Sequence, residues 1–246
     1  MILCLETATP TCSVAINDGG QNVALRECKG QNAHSEKITL FIKEVMEEAG
    51  VGYNQLDAVA VSKGPGSYTG LRIGVSTAKG ICYAADLPLM AVDTLHAMAY
   101  GMRDKLGAKL QAGDLLVPMI DARRMEVYCA VFDANLNRKQ DTQAVVFGKE
   151  NGERNGEALN EAKRVKTENF PFSVPLWLFG DGAPKLHGLF DAVDQIHIVD
   201  DFAPSAAFMA SLSDQALKAH DFVDVAYVEP YYLKDFIAGK PHVKGL

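Results

Sequence analysis

Two stretches of the chain share one pattern: an apolar run ends at an acidic residue, and a turn leads into a second apolar run. ILCLE (2–6) is followed by TCSVAIND (11–18), and LVPMID (116–121) is followed by MEVYCAVFD (125–133). Each pair is typical of a β-hairpin. QNVALREC (21–28) and KQDTQAVVF (139–147) offer each hairpin a third strand. The repeat predicts two similar lobes, unless the likeness of the two hairpins is accidental.

Helical and strand patterns fill the chain between and after the hairpins. Residues 33–49 carry an apolar helical stripe that Gly50 closes, and Asp93 stands where it would cap a helix over 94–106. Further strands are expected near 56–61, 87–92 and 175–182, and a further helix near 204–219. A polar insertion, 149–169, is expected to be a loop or a short exposed helix. We therefore expect one lobe over 1–105, a second over 106–220, and a tail over 221–246 that packs back on the body.

The stretch VSKGPGSYTGLRIGVSTAKG (61–80) joins a strand to a helix that is rich in glycine. A Walker A loop requires glycine and then lysine five and six residues after its first glycine, but Thr69 and Leu71 stand five after Gly64 and Gly66. A dinucleotide-binding fingerprint fails at Thr69 as well. Glycine in a helix costs roughly 1 kcal/mol relative to alanine, so these glycines are expected to allow a close approach of another part of a protein.

The helix predicted over 67–86 is apolar or small on nearly every side. Its polar residues Arg72, Ser76, Lys79 and Tyr83 form one narrow stripe, and such a helix is typically buried on more than one side. Two interpretations follow. The helix is buried wholly within its own lobe, or the small residues Gly70, Gly74 and Ala78 admit a helix of another protein.

Composition and charge exclude several classes of function. The 246 residues carry a formal net charge of −7, so a broad basic surface for nucleic acid is not expected. No run reaches the roughly 20 apolar residues of a membrane span, and MILCLETATP lacks the positive head of a signal peptide. We expect a cytoplasmic protein with no membrane contact and with reduced cysteines, since its five cysteines form no C-x-x-C pair. The six histidines show no zinc-protease spacing, so no metal site is expected.

GPGSYTGLRIG followed by AKG resembles the signature of the TsaB family, the bacterial tRNA threonylcarbamoyladenosine biosynthesis proteins. The resemblance continues in ETATPTCSVAI, AVDTLHAMA, DARRMEVY, FGDGA and EPYYLK, where the family usually has arginine at Lys234. It implies an α/β fold of two ribonuclease-H-like lobes, as in actin, sugar kinases and heat-shock chaperone ATPases.

The resemblance also implies a role as a non-catalytic subunit. TsaB-like proteins bind the catalytic paralogue TsaD, joined by the ATPase TsaE, and TsaD transfers threonylcarbamoyl to the adenosine beside the anticodon of tRNA. The helices at 33–49 and 67–86 would face TsaD. The residues expected at that interface are Ile38, Ile42, Tyr68, Gly70, Leu71, Gly74, Val75 and Ala78.

Remnants of a nucleotide site are expected where ATP-using members of the fold hold magnesium and phosphate. Glu6-Thr7-Ala8 keeps the acidic residue but lacks the glycine that lets the backbone approach phosphate. Arg123 and Arg124 are candidates for contact with RNA, a nucleotide or a partner carboxylate, and otherwise for a surface ion pair. The 180–182 segment, Gly180, Asp181 and Gly182, resembles an adenosine loop but also fits a plain turn after a strand. No cofactor is expected on this chain alone, and ATP could bind only where the partner completes the site.

The metal ligands of the catalytic paralogue are also replaced. Its His-x-x-x-His places hold Thr94 and Met98, and His96 between them is expected on the solvated side of its helix. Two alternatives stay open: a stand-alone metalloprotease or weak ATPase, and a scaffold that associates with itself. A homodimer through the apolar helix surface is expected when TsaD is absent.

Overall fold

The computed structural model describes residues 1–30, 32–147 and 173–234. The polar insertion expected at 149–169 and the last part of the tail lie outside the described residues. Among the described residues, no helix combines the length and the apolar character needed to cross a membrane.

The first five strands form a mixed sheet that begins with the predicted hairpin. They are β1 (Ile2–Glu6), β2 (Thr11–Asp18), β3 (Gln21–Lys29), β4 (Ala58–Gly64) and β5 (Leu89–Asp93), in the order β3-β2-β1-β4-β5. The first three are antiparallel neighbours, and β4 and β5 add in parallel. Helices α1 (Ala33–Ala49), α2 (Tyr68–Ala85) and α3 (Thr94–Leu106) connect or follow these strands. Gly50 ends α1 in the left-handed region, and Asp93 caps α3 by accepting a bond from the His96 N–H, as predicted.

The second sheet repeats this topology. It contains β6 (Leu115–Asp121), β7 (Glu126–Asp133), β8 (Arg138–Val146), β9 (Leu176–Phe179) and β10 (Ile196–Val199), in the order β10-β9-β6-β7-β8. Again a three-stranded antiparallel unit is extended by parallel strands. The repeat read from the two hairpins therefore reflects matching sheets. The expected fold class is confirmed: an α/β fold of two ribonuclease-H-like lobes.

Both faces of the first sheet are buried. Alternate residues of each strand point to opposite sides, so each face packs against a different part of the chain. Leu3 and Leu5 pack with α1 and α2, whereas Ile2 and Cys4 pack against a later part of the chain. That later part is a 3-10 turn (Ala206–Met209) that leads into α4 (Ala210–Ala219). The helix expected near 204–219 is thus present, and it covers the sheet of the first lobe.

Helix α3 follows the first sheet in the chain but packs against the second sheet. Leu95, Met98 and Met102 are fully buried and pack with Leu116 and Phe179 of the second sheet. The boundary expected at residue 105 therefore does not follow the packing of the layers: α3 covers the second sheet, and α4 covers the first. Sequence order alone does not show which sheet a terminal helix will cover.

Candidate functional site

A cleft of about 480 Å³ lies between the turns of the two hairpins. The first turn contributes Thr9, the second contributes Asp121 and Arg123, and α2 contributes its first residues. Asp181, after β9, and Tyr232 to Lys234 of the tail complete the lining. The repeat of the fold therefore brings the ends of β1 and β6 to one place.

Glu6, at the end of β1, is fully buried beside this cleft. Its Oε1 accepts a bond from the Ala8 N–H at 2.6 Å, and its Oε2 has no hydrogen-bond partner among the described residues. Burial raises the pKa of Glu6 to about 7, and the nearby charge of Asp181 adds to the rise, against the lowering effect of the bonds from Ala8 and Ser62. Burial also raises the pKa of Asp181. With a pKa of about 7, the Glu6 carboxyl is partly protonated at neutral pH.

In the first turn, the backbone N–H and the carbonyl of Ala8 are both hydrogen-bonded within the chain. The Ala8 carbonyl accepts a bond from the Ser67 N–H at 2.7 Å, and the Ala8 N–H is taken by Glu6. Thr7 lies directly under α2: a Cβ added at Gly70 would stand 2.2 Å from the Thr7 carbonyl oxygen. Thr7 Oγ1 is buried and has no partner among the described residues.

The glycines of α2 therefore allow close packing within the chain. A Cβ at Gly74 would stand 2.2 Å from Thr7 Oγ1. Seven of the eight residues expected at a partner interface are buried in the chain itself, and Tyr68 is half-buried. The seven are Ile38, Ile42, Gly70, Leu71, Gly74, Val75 and Ala78. The interpretation that a foreign helix packs on Gly70, Gly74 and Ala78 is wrong for this structure, because β1 and its turn occupy that space.

The second turn is fixed by a lysine. Lys185 Nζ donates to the carbonyl oxygens of Arg124 and Glu126 at 2.9 and 3.0 Å and also contacts Asp121. Arg123 and Arg124 both adopt positive φ, at 69° and 50°. Arg123 lines the cleft, whereas Arg124 is exposed outside the lining. The sequence around Lys185 did not predict that this lysine binds the second turn, because its partners lie about 60 positions away in the chain.

The glycines after β9 serve the packing of β6. Gly180 has a φ of 109°, and a Cβ there would stand 2.2 Å from the Met119 carbonyl oxygen. Gly182 donates its N–H to that same oxygen at 3.1 Å, and Asp181 accepts a bond from the Asp121 N–H at 3.0 Å. Of the two interpretations of this segment, a tight turn that docks on β6 accounts for its glycines.

His96 is half-buried on α3 instead of solvated, contrary to the prediction. Its ring stacks on Phe132 with centroids 4.9 Å apart, and burial lowers its pKa. Of the positions that match paralogue ligands, Thr94 is buried and accepts a bond from the Gly64 N–H at 3.1 Å, and Met98 is in the core. Within the described ranges, no group of three or more His, Cys, Asp or Glu residues could hold a metal ion.

Comparisons with known proteins agree with this architecture. The profile of the family described as TsaD, tRNA N6-adenosine threonylcarbamoyltransferase, matches residues 29–239. The chain is 31% identical over 243 residues to the tRNA threonylcarbamoyladenosine biosynthesis protein TsaB of Escherichia coli (strain K12), covering 97% of this chain and 96% of that protein. It is 39% identical over 127 residues to TsaB of Haemophilus influenzae, covering 52% and 51% of the two chains.

Two solved structures share the fold. One is described as an uncharacterized protein with similarity to peptidase YEAZ from Pseudomonas aeruginosa, with a TM-score of 0.70, 22% identity, and coverage of 95% of this chain and 99% of that one. The other, YeaZ from Pseudomonas aeruginosa, has a TM-score of 0.67, 23% identity, and coverage of 94% and 99%. At this identity the likeness shows the fold alone.

Proposed function

The chain belongs to the TsaB family of tRNA threonylcarbamoyladenosine biosynthesis proteins, and we propose that it is a non-catalytic subunit that binds and supports a TsaD-type transferase. The match to the TsaD family over residues 29–239 supports the view that this chain and its proposed TsaD-type partner are paralogues. Within a shared fold, function is decided by the site that each copy retains.

The closed first turn supports the non-catalytic part of this proposal. In a phosphate site the backbone N–H groups of the turn point at the ligand. Here the Ala8 N–H bonds Glu6, and the Ser67 N–H bonds the Ala8 carbonyl. We propose that ATP binds only where the partner completes the cleft. Isothermal titration with ATP should give no heat for this chain alone, and binding or hydrolysis by the isolated chain would favour the weak-ATPase alternative.

We propose that the outer face of α2 is the surface that binds the partner. The observation that carries this proposal is an exposed, uncharged row of residues on that face. An uncharged row follows the helix at helical spacing, and its members are Thr69, Ile73, Ser76, Gly80 and Ala84. All but Ile73 are exposed, and Tyr83 beside the row is 87% exposed. Gly80 has no atom within 4 Å of an added Cβ. A row of small residues on an exposed helix lets another helix approach closely.

Gly80→Leu tests this surface. The added side chain meets open space in this chain, so the fold should be retained while a helix packed on the row is pushed away. Overpacking of about 1–3 kcal/mol weakens association roughly tenfold to a hundredfold. The measurement is titration calorimetry with the TsaD paralogue, with and without the TsaE ATPase.

Gly113→Leu is the matched control, because Gly113 is also exposed, with no atom within 4 Å of an added Cβ, but lies between α3 and β6. Full TsaD affinity in a folded Gly80→Leu protein would overturn the proposed face. Size-exclusion chromatography of the same variants without TsaD tests whether a homodimer uses this face. Because the chain is acidic, tRNA should bind through the complex, and tight salt-sensitive binding by the chain alone would contradict this.

A further inference from the structure

The segment from 221 to 234, which we call the strap, leaves α4 behind the first sheet and runs to the cleft. Its Val223 N–H bonds the Leu89 carbonyl at 2.9 Å, and its Tyr231 N–H bonds the Lys63 carbonyl at 2.6 Å. The backbone approach is close enough that a Cβ at Gly64 would stand 2.7 Å from the Tyr231 carbonyl oxygen. The strap is therefore attached to the first lobe along its length.

Helix α2 holds the strap with two cationic side chains. Lys79 Nζ donates to the carbonyl oxygens of Ala226 and Val228 at 3.0 and 3.2 Å. Arg72 Nε donates to the Tyr232 hydroxyl at 3.1 Å, while its guanidinium lies 4.1 Å from the ring centroid of Tyr68. Two of the four residues of the polar stripe that was visible in the sequence, Arg72 and Lys79, thus bind the protein's own tail.

The end of the strap crosses to the second lobe. Tyr232 stacks near Tyr68 with centroids 4.6 Å apart, and Lys234 forms an ion pair with Glu126 at the start of β7. Glu126 is 14% exposed and Lys234 is 50% exposed. Tyr232, Leu233 and Lys234 all line the cleft. One short segment thus closes part of the mouth of the cleft and joins the two lobes across it.

We propose that the strap is a releasable latch: the Lys234–Glu126 pair holds the lobes together at the cleft, and breaking the pair widens the mouth. An ion pair with one exposed partner contributes little net free energy, so it suits a contact that opens and closes. The strap's hydrogen bonds to Leu89, Lys63, Lys79 and Arg72 are all made to the first lobe, so opening the pair leaves the strap attached there. Other charged groups near its path include Arg72, Lys79, Glu229, Asp121 and Arg123, and Lys185 holds Asp121 in place.

The test measures access to the cleft with Ala122→Cys, at a half-buried residue that lines it. Cys28 is the one cysteine of five that is not buried, and Cys28→Ser removes it from this background. The rate of reaction with N-ethylmaleimide, which is uncharged, then reports how often the cleft opens. Lys234→Met and Glu126→Gln each break the pair but change the local charge in opposite directions.

Both variants should react about two- to fivefold faster than the parent, the range expected for loss of such a pair. Lys234→Arg should keep the parent rate, and Lys218→Met, which breaks the Lys218–Asp214 pair within α4, should also leave it unchanged. Thermal melting of each variant confirms that the fold is retained. Equal rates in all proteins, or opposite changes in Lys234→Met and Glu126→Gln, would overturn the latch.

Discussion

Replacing Gly74 by alanine isolates the contact between α2 and the end of β1. The added Cβ would stand 2.2 Å from Thr7 Oγ1 and 3.3 Å from both Thr7 Cβ and Cγ2. Thr7 is fully buried, so relieving this contact requires its side chain, α2 or the end of β1 to shift within a packed interior. Gly80→Ala is the matched control, because the same change in the same helix meets open space.

The two variants should move stability in opposite directions. Alanine favours a helix interior by up to about 1 kcal/mol over glycine, so Gly80→Ala should stabilise the protein. Overpacking costs about 1–3 kcal/mol, and the short contact at Gly74 places it near the upper end, for a net loss of about 2 kcal/mol. For a chain of this size that is a fall of about 4–8 °C in Tm.

A double-mutant cycle with Thr7→Ala assigns the loss to this contact. Thr7→Ala removes Oγ1 and Cγ2, so the Gly74→Ala penalty should shrink by about 1 kcal/mol or more in that background. Thermal and denaturant unfolding of the four proteins gives the coupling energy. Equal stability changes for Gly74→Ala and Gly80→Ala, or a coupling near zero, would refute the reasoning.

Three further predictions concern titratable groups. Burial raises the pKa of Glu6 from 4.5 to about 7, so the folded state binds this proton more tightly than the unfolded state. The free energy of unfolding should therefore fall by at most about 3 kcal/mol as pH rises from about 4.5 to about 7. Glu6→Gln should remove this pH dependence from urea denaturation profiles. In NMR titrations His96 should titrate below its ordinary pKa because it is buried, and His187 above it because Asp200 and Asp191 accept its bonds; identical pKa values would contradict this. Lys185→Met should destabilise the turn after β6 by about 1–3 kcal/mol, since it removes the hydrogen bonds that the charged lysine donates to the Arg124 and Glu126 carbonyls and to Asp121, and unchanged melting would argue against that role.

The sequence predicted the local elements well because their signals are local. Alternation marked the strands of both hairpins, Gly50 marked the end of α1, and Asp93 marked the start of α3. The burial of His96 escaped prediction because it depends on Phe132 in the other lobe. Periodicity shows that one side of a helix is apolar but not which distant segment will cover it.

The candidate site was predicted in part for the same reason. The repeat placed Glu6 and Asp121 at equivalent strand ends, and the structure brings both to the cleft region. The inward side of α2 was misassigned because its partner, Thr7, lies more than 60 positions away in the chain. Gly80, six residues after Gly74, lies on the other side of a helix of 3.6 residues per turn, and that geometry could have distinguished the two glycines.

The crossed placement of α3 and α4 has a consequence for how the protein is made. While the chain emerges from the ribosome, β1 to β5 are complete long before the helix that covers Ile2, Cys4 and Met90 has been synthesised. One apolar face of the first sheet therefore stays exposed to water until the second lobe and α4 have been synthesised. A chain that ends before α4 would keep these apolar side chains exposed to water, so we expect the first lobe to be unstable by itself.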